Sequence, residues 1–371
     1  FKNNYSFFKT HFLQIVQPQI CHLDRFAVMF TDELLYACAL NKVFNFRPAD
    51  GIRLIEMFGS AKGVLTLKKS DLFEIFGKEY KFFEELTNKS LLISAEKELR
   101  WCEENGFKVL FFEDYNYPTR LREIPDPPLI LYVKGNANLN HKFMLSIVGT
   151  RRVTQYGEAV CAKLIAEVAS MGSGCSIVSG LAFGTDINAH RSAVSNGLPT
   201  IAVLPCGPER VYPTSHRKAA DVIAEKGAVV TDYPLNTDSL KINFIRRNRI
   251  IAALSQATIV IESAKKGGAL ITARVAQSYG REVYAVPGRV FDKMSEGCNE
   301  LISDNIANSY LSAKRVFEEL KWESRNSLAL HERSLFGNQI TEKEKILITL
   351  SKNSPASIDE LSIYTKLTIR E

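Results

Sequence analysis

The seven cysteines (Cys21, Cys38, Cys102, Cys161, Cys175, Cys206, Cys298) are odd in number and scattered, and none forms a C-x-x-C pair. This argues against a zinc site or a disulfide framework and fits a reducing cytoplasm. Long apolar runs are missing as well. The stretch TIAVLP (200–205) falls far short of the roughly 20 residues a membrane-spanning helix needs, so no membrane insertion is expected. The opening FKNNYSFFKTHF lacks the small-residue cleavage site of a signal peptide. There is no G-x-x-x-x-G-K-S/T phosphate loop, no good G-x-G-x-x-G fingerprint and no paired-carboxylate metal signature, and no cofactor is expected. Internal repeats and low-complexity tracts are also absent.

What is present is ordinary globular material: 371 residues, 46% apolar and 24% charged, enough for two or three domains. The net charge of +6 is modest, but its placement is not even. Residues 241–281 hold eight basic residues (Lys241, Arg246, Arg247, Arg249, Lys265, Lys266, Arg274, Arg281) and one acid, Glu262. That block carries +7 and leaves the rest of the chain at −1. Such a concentration suits either a polyanion site or a solvated basic face.

The rhythm of the chain divides it. Residues 1–28 show no clean period and precede Met29, the expected initiator, which makes them an extension or upstream segment. Residues 29–104 alternate helical stretches with breakers (Pro48, Asp50-Gly51, Gly59, Gly63, Gly77) and predict a small all-α domain. From 105 to 322, β-rich runs at 108–112, 129–133, 144–149, 175–180, 200–207, 228–233, 257–263 and 282–288 alternate with amphipathic stretches. Continuous apolar strands alternating with helices predict an α/β domain with a Rossmann-like, doubly wound, mostly parallel sheet. A polar linker (323–340) leads to 341–371, which reads as an incomplete winged-helix-like domain of about 31 residues, below the roughly 40 that a lone core needs.

Three glycine-bearing loops follow predicted strands, where open parallel sheets bind ligands. In SIVGTRRVTQYG (146–157), Gly149 lets the backbone approach a ligand, and Arg151 and Arg152 project from the loop. In IVSGLAFGTDINAH (177–190), Gly180 and Gly184 bracket a turn whose helix-start amides are expected to face outward toward phosphate. In ESAKKGGALITA (262–273), Gly267 and Gly268 enter a helix beside Lys265 and Lys266. Each glycine also suits a tight strand-to-helix turn. A fourth motif, FIRRNRIIAALS (244–255), places Arg246, Arg247 and Arg249 just ahead of an expected helix. Arginine forks bind phosphate oxygens bidentately. Asn248 either joins them or caps that helix, and Phe244 either stacks on a base or packs in the core.

Catalytic readings are thinner. Asp186 and His190 lie four residues apart, either as an acid–base couple or as a helix cap and a packed histidine. Glu262 is either a general base or an orienting group for backbone amides or Arg247. Cys206 has no histidine nearby in sequence.

These motifs, with TIAVLPCGPERVYPTSHR (200–217) and AVPG followed by GCNELI (297–302) in this order, resemble the DNA-processing protein A (DprA/Smf) family over about 105–310. The resemblance implies a homodimeric, non-enzymatic, cytoplasmic single-stranded DNA-binding protein of natural transformation. It would protect incoming DNA and load a RecA-type recombinase. It also implies a DNA pocket on Gly149, Thr150, Arg151, Ser179, Gly180, Arg247, Arg249 and Lys266, and on Arg217. The chain departs from the family's pattern at Ile245, where proline is frequent, and at Ala253, where glycine is usual. An alternative is a phosphoribohydrolase-like enzyme on the same sheet edge, although its P-G-G-x-G-T-x-x-E run is absent. A third, weaker alternative is a transcription regulator acting through the tail, which lacks the helix that would enter a groove.

Overall fold

The computed structural model describes residues 30–76, 82–88 and 90–322. The expectations for 1–28, the 323–340 linker and the winged-helix-like 341–371 segment lie outside the described residues.

The chain begins with helices α1 (Asp32–Phe44), α2 (Pro48–Phe58), α3 (Ala61–Leu65), α4 (Lys69–Phe76), α5 (Phe83–Leu86) and α6 (Ser90–Glu104). Thr31 caps α1 through its side chain, and Pro48 opens α2 where a missing N–H costs nothing. Asp50-Gly51, expected as a breaker, lies inside α2. Gly51 is tolerated there because a Cβ would come 2.6 Å from Leu129 Cδ1, so the helix packs closely on its neighbours. Leu40, Phe44, Leu54, Ile55 and Leu99 form the core of this unit, and it continues into Ile130 and Tyr132 of the sheet.

The sheet then alternates with helices: β1 (Phe107–Phe111), α7 (Thr119–Arg122), β2 (Ile130–Gly135), β3 (Met144–Val148), α8 (Gln155–Ser170), β4 (Ser176–Ser179), α9 (Thr185–Ser195), β5 (Thr200–Val203), α10 (Arg217–Lys226), β6 (Ala228–Thr231), α11 (Lys241–Leu254), β7 (Ala257–Val260), α12 (Gly268–Ser278), β8 (Glu282–Ala285), α13 (Glu296–Ser303), β9 (Asn308–Ser309) and α14 (Ala313–Glu319). All eight expected strands form. The two-residue β9 is additional and carries no pattern to read.

The spatial order is β1-β2-β6-β5-β4-β3-β7-β8-β9. The β1–β2 and β2–β6 pairs are antiparallel and the rest parallel. β3, β4, β5, β6 and β7 are buried throughout, as strands covered on both faces must be. One face packs Ile250, Ile251, Leu254 and Ala273 from α11 and α12. The other packs Leu164, Ile165 and Val168 of α8 with Ala189, Val316 and Phe317. The order reverses at β3: β4, β5 and β6 run outward on one side, and β7, β8 and β9 on the other. That switch point is where an open α/β sheet leaves a crevice beyond its strand ends.

Candidate nucleic-acid interface

The loops after β3, β4 and β7 meet at this crevice and are stitched together by Thr150. Its N–H donates to Glu262 O (2.7 Å), its carbonyl accepts from Thr185 N–H (3.1 Å), and its Oγ1 accepts from Arg152 N–H (3.1 Å). Glu262 is only 2% exposed. Its carboxylate accepts from Thr154 N–H (2.8 Å) and Thr154 Oγ1–H (2.5 Å), which orients a backbone amide as expected but leaves Arg247 untouched. Both carboxylate oxygens are engaged by Thr154.

The amides of the α9 start do not all face outward as expected. Thr185, Ile187 and Asn188 donate to the carbonyls of Thr150, Ala182 and Gly184. Gly184 has φ +73° and ψ −122°, a conformation that glycine alone adopts readily. Asp186 does not cap α9 by the side-chain route. Its Oδ2 accepts from Ala182 N–H (3.3 Å), and burial pushes its carboxyl up against the pull of Arg247. Asp186 and His190 do not pair. Thr200 Oγ1 donates to Ile177 O (3.0 Å), so His190 Nδ1–H is the donor to Thr200 (2.7 Å), and buried Nε2 has no partner. The buried Cys206 thiol is pushed up to about 12 by desolvation.

The arginine block requires the largest correction. Residues 246–249 lie inside α11, which starts at Lys241, so Asn248 is no cap. Its Oδ1 accepts from Arg247 Nε at 3.2 Å. Arg247 is 3% exposed and Arg249 6%, so neither presents a free fork at the surface. Arg247 Nη1 donates to Gly180 O (2.8 Å) and to Val203 O, tying the ends of β4 and β5 together. Desolvation lowers its pKa, opposed by Asp186. The absence of a side chain at Gly180 makes room for this guanidinium: a Cβ there would lie 2.5 Å from Arg247 Nη2, so the arginine would have to shift. Arg249 Nη2 meets Asp232 Oδ2 at 2.6 Å, and its Nη1 donates to Asp126 O at 2.8 Å. These contacts follow from burial: a guanidinium inside the protein must find acceptors. Arg246 faces the helical unit, 4.7 Å over the Phe46 ring. Ser179 is also interior, donating to Ile147 O at 2.6 Å.

The exposed cations lie around the loops. Arg151 and Arg152 are exposed after β3, as are Lys265 and Lys266 after β7. Gly149 is half-buried at the end of β3. Gly267 closes a turn onto Ala264 O (2.9 Å), and exposed Gly268 opens α12. Arg217 opens α10 and lines a separate hollow of about 110 Å³ with Trp101 and Lys134.

Sequence reasoning picked out Phe244 at the aromatic edge but missed Tyr212 and Phe183. Arg151 lies 5.1 Å over the Phe244 ring, and Phe244 meets Tyr212 edge-on at 5.1 Å. Phe244 is half-buried, between its two expected fates. Phe183, 48% exposed, packs its ring edge-on to His216 at 4.8 Å. The signal for Phe183 was its position between Gly180 and Gly184. Among the described residues, no group of three or more His, Cys, Asp or Glu side chains is arranged to hold a metal ion, and no helix is long and apolar enough to cross a membrane.

A sequence profile of the DNA recombination-mediator protein A family matches residues 108–321. The chain belongs to this family. The family match spans the whole sheet from β1 to α14. The chain is 38% identical over 218 residues to the DNA processing protein DprA of Bacillus subtilis, covering 58% of this chain and 72% of that one. Among solved structures, DNA processing protein A from Streptococcus pneumoniae superposes with a TM-score of 0.56 at 32% identity, covering 69% of this chain and 92% of the other. The Helicobacter pylori protein, described by its single-stranded DNA binding mode, gives 0.53 at 31% identity, covering 59% and 98%.

Proposed function

We propose that this family member binds single-stranded DNA at the crevice above β3, β4 and β7, without catalysis and with little regard to base sequence. The observation that carries this reading is the joint exposure of Arg151, Arg152, Lys265 and Lys266 around loops at the switch point, edged by Phe244, Tyr212 and Phe183. Cations read phosphates and rings stack on any base, so the set favours a single strand over a base-reading duplex interface. The relative named for its single-stranded DNA binding mode supports the same reading. In the proposed role, the protein works in the cytoplasm as a homodimer, shields incoming DNA during natural transformation and passes it to a RecA-type recombinase.

Titration with an oligo-dT strand and with a duplex of the same length, with and without a RecA-type recombinase, tests the role. Tighter binding to the strand and faster recombinase assembly on it are expected. Equal binding to the duplex contradicts the strand preference. Release of free base from nucleoside monophosphates would instead reveal an enzyme.

A further inference from the structure

Helix α11 borders a second feature that the loops do not account for. Phe244 faces Arg151, but the next residue, Ile245, lines a separate cleft of about 410 Å³ between α11 and the helical unit. That volume lies within the roughly 300–1,000 Å³ of small-ligand sites. The helical unit contributes Phe46 and Arg47, α11 contributes Arg246 and Arg249, and Tyr279 completes the wall.

The lining of the cleft holds three arginines and two acids. Its two acids are already engaged: Asp50 pairs with Arg47 (3.0 Å), and Asp126 pairs with Arg249 (3.4 Å) and accepts from Tyr279 (2.7 Å). Arg246 has no carboxylate within ion-pair distance among the described residues, and its bond to Asn45 O is long, at 3.4 Å. Its guanidinium lies over a Phe46 ring that is 48% exposed. A guanidinium with no direct carboxylate contact, which feels only the buried Asp232 at longer range, beside a half-exposed aromatic ring suits a phosphate and a base together. The wall is also fixed. Asn45 donates to Asp232 O at 2.6 Å, and Glu98 accepts from both Lys42 (2.7 Å) and Leu235 N–H (2.8 Å). Between the crevice and the cleft, α11 exposes Ile242 and Ile245, an apolar surface a strand can cross.

We propose that this cleft is a second nucleotide subsite. It takes a nucleotide of the same single strand after the strand has crossed α11 from the crevice, with the base on Phe46 and the phosphate on Arg246. This rests on the reading of the crevice as a single-strand site.

A ladder of oligo-dT strands of increasing length tests it, using the full chain and its Phe46→Leu, Phe46→Trp and Arg151→Ala variants, each checked for an unchanged urea midpoint. Phe46→Leu keeps apolar volume and removes the π-face. It should bind the shortest strands like the parent and lose at least about fivefold on longer ones, the lower end of a base–aromatic stack. Phe46→Trp should recover that loss, and Arg151→Ala should weaken binding at every length. Parent-like binding by Phe46→Leu at all lengths, with Arg151→Ala still weakened, overturns the subsite and leaves the crevice. A loss by Phe46→Leu that is equal on the shortest strands also overturns it. Parent-like binding by Arg151→Ala throughout would count against the crevice itself.

Discussion

Arg151 and Arg247 differ in what surrounds their charge. Arg151 is exposed beside Phe244, whereas Arg247 holds two strand-end carbonyls in the interior. Removing Arg247 leaves buried acceptors unpaired, each costing about 1–3 kcal/mol. Arg247→Ala is therefore expected to lower stability by several kcal/mol in urea unfolding, and Arg151→Ala to leave the midpoint unchanged. Equal midpoints for both would contradict the burial argument. Arg249→Ala strands the Asp232 carboxylate and should cost about 3–5 kcal/mol. Beneath the same loops, desolvation and then the Arg247 and His216 charges hold His190 down to about 3. An unfolded histidine titrates near 6.5. The unfolded chain therefore takes up this proton first: the contribution is complete above pH ~6.5 and is lost as pH falls toward 3, about 4–5 kcal/mol in all. His190→Asn keeps a donor for Thr200 and removes the titration, so its stability should fall less steeply with acidification. An unchanged slope would refute the assignment.

At the scale of elements, two loop glycines give opposite expectations. Gly184 combines φ +73° with a Cβ position that would strike the Thr150 carbonyl. Gly268 has φ in no strained region and no atom within 4 Å of a Cβ. Thermal unfolding should show Gly184→Ala losing at least about 1–3 kcal/mol while Gly268→Ala stays near the parent. The reverse ranking would show that the β4–α9 turn does not depend on its backbone conformation. Strand positions were legible because continuous apolar runs have few other uses, and β3, β4 and β7 follow those runs closely. The start of α11 was not legible. Its first residues, KINF, carry no cap signal, and Leu240 makes no side-chain capping bond. Placing the helix start after Arg249 turned three arginines into loop residues. The loop cations Arg151, Lys265 and Lys266 were legible because short strand-to-helix loops leave such side chains little room to be buried. The Arg247 contacts were hidden because they join residues 44 and 67 positions apart in sequence.

For the whole molecule, the helical unit and the sheet share one core through Ile130 and Tyr132, and the exposed cations of the crevice all lie between residues 151 and 266. Deleting residues 335–371 should accordingly leave strand affinity within a few-fold. A loss of tenfold or more, about 1.4 kcal/mol, in a folded deletion would place binding in the tail. The central claim is that phosphates meet the exposed loop cations at the switch point. It is tested most directly by the salt dependence of oligo-dT affinity in the parent, Arg151→Ala and the Lys265→Ala/Lys266→Ala pair. Each lost phosphate contact should flatten the plot of log affinity against log salt by about 0.7, with the fold intact. Parent-like slopes in both variants would contradict the account.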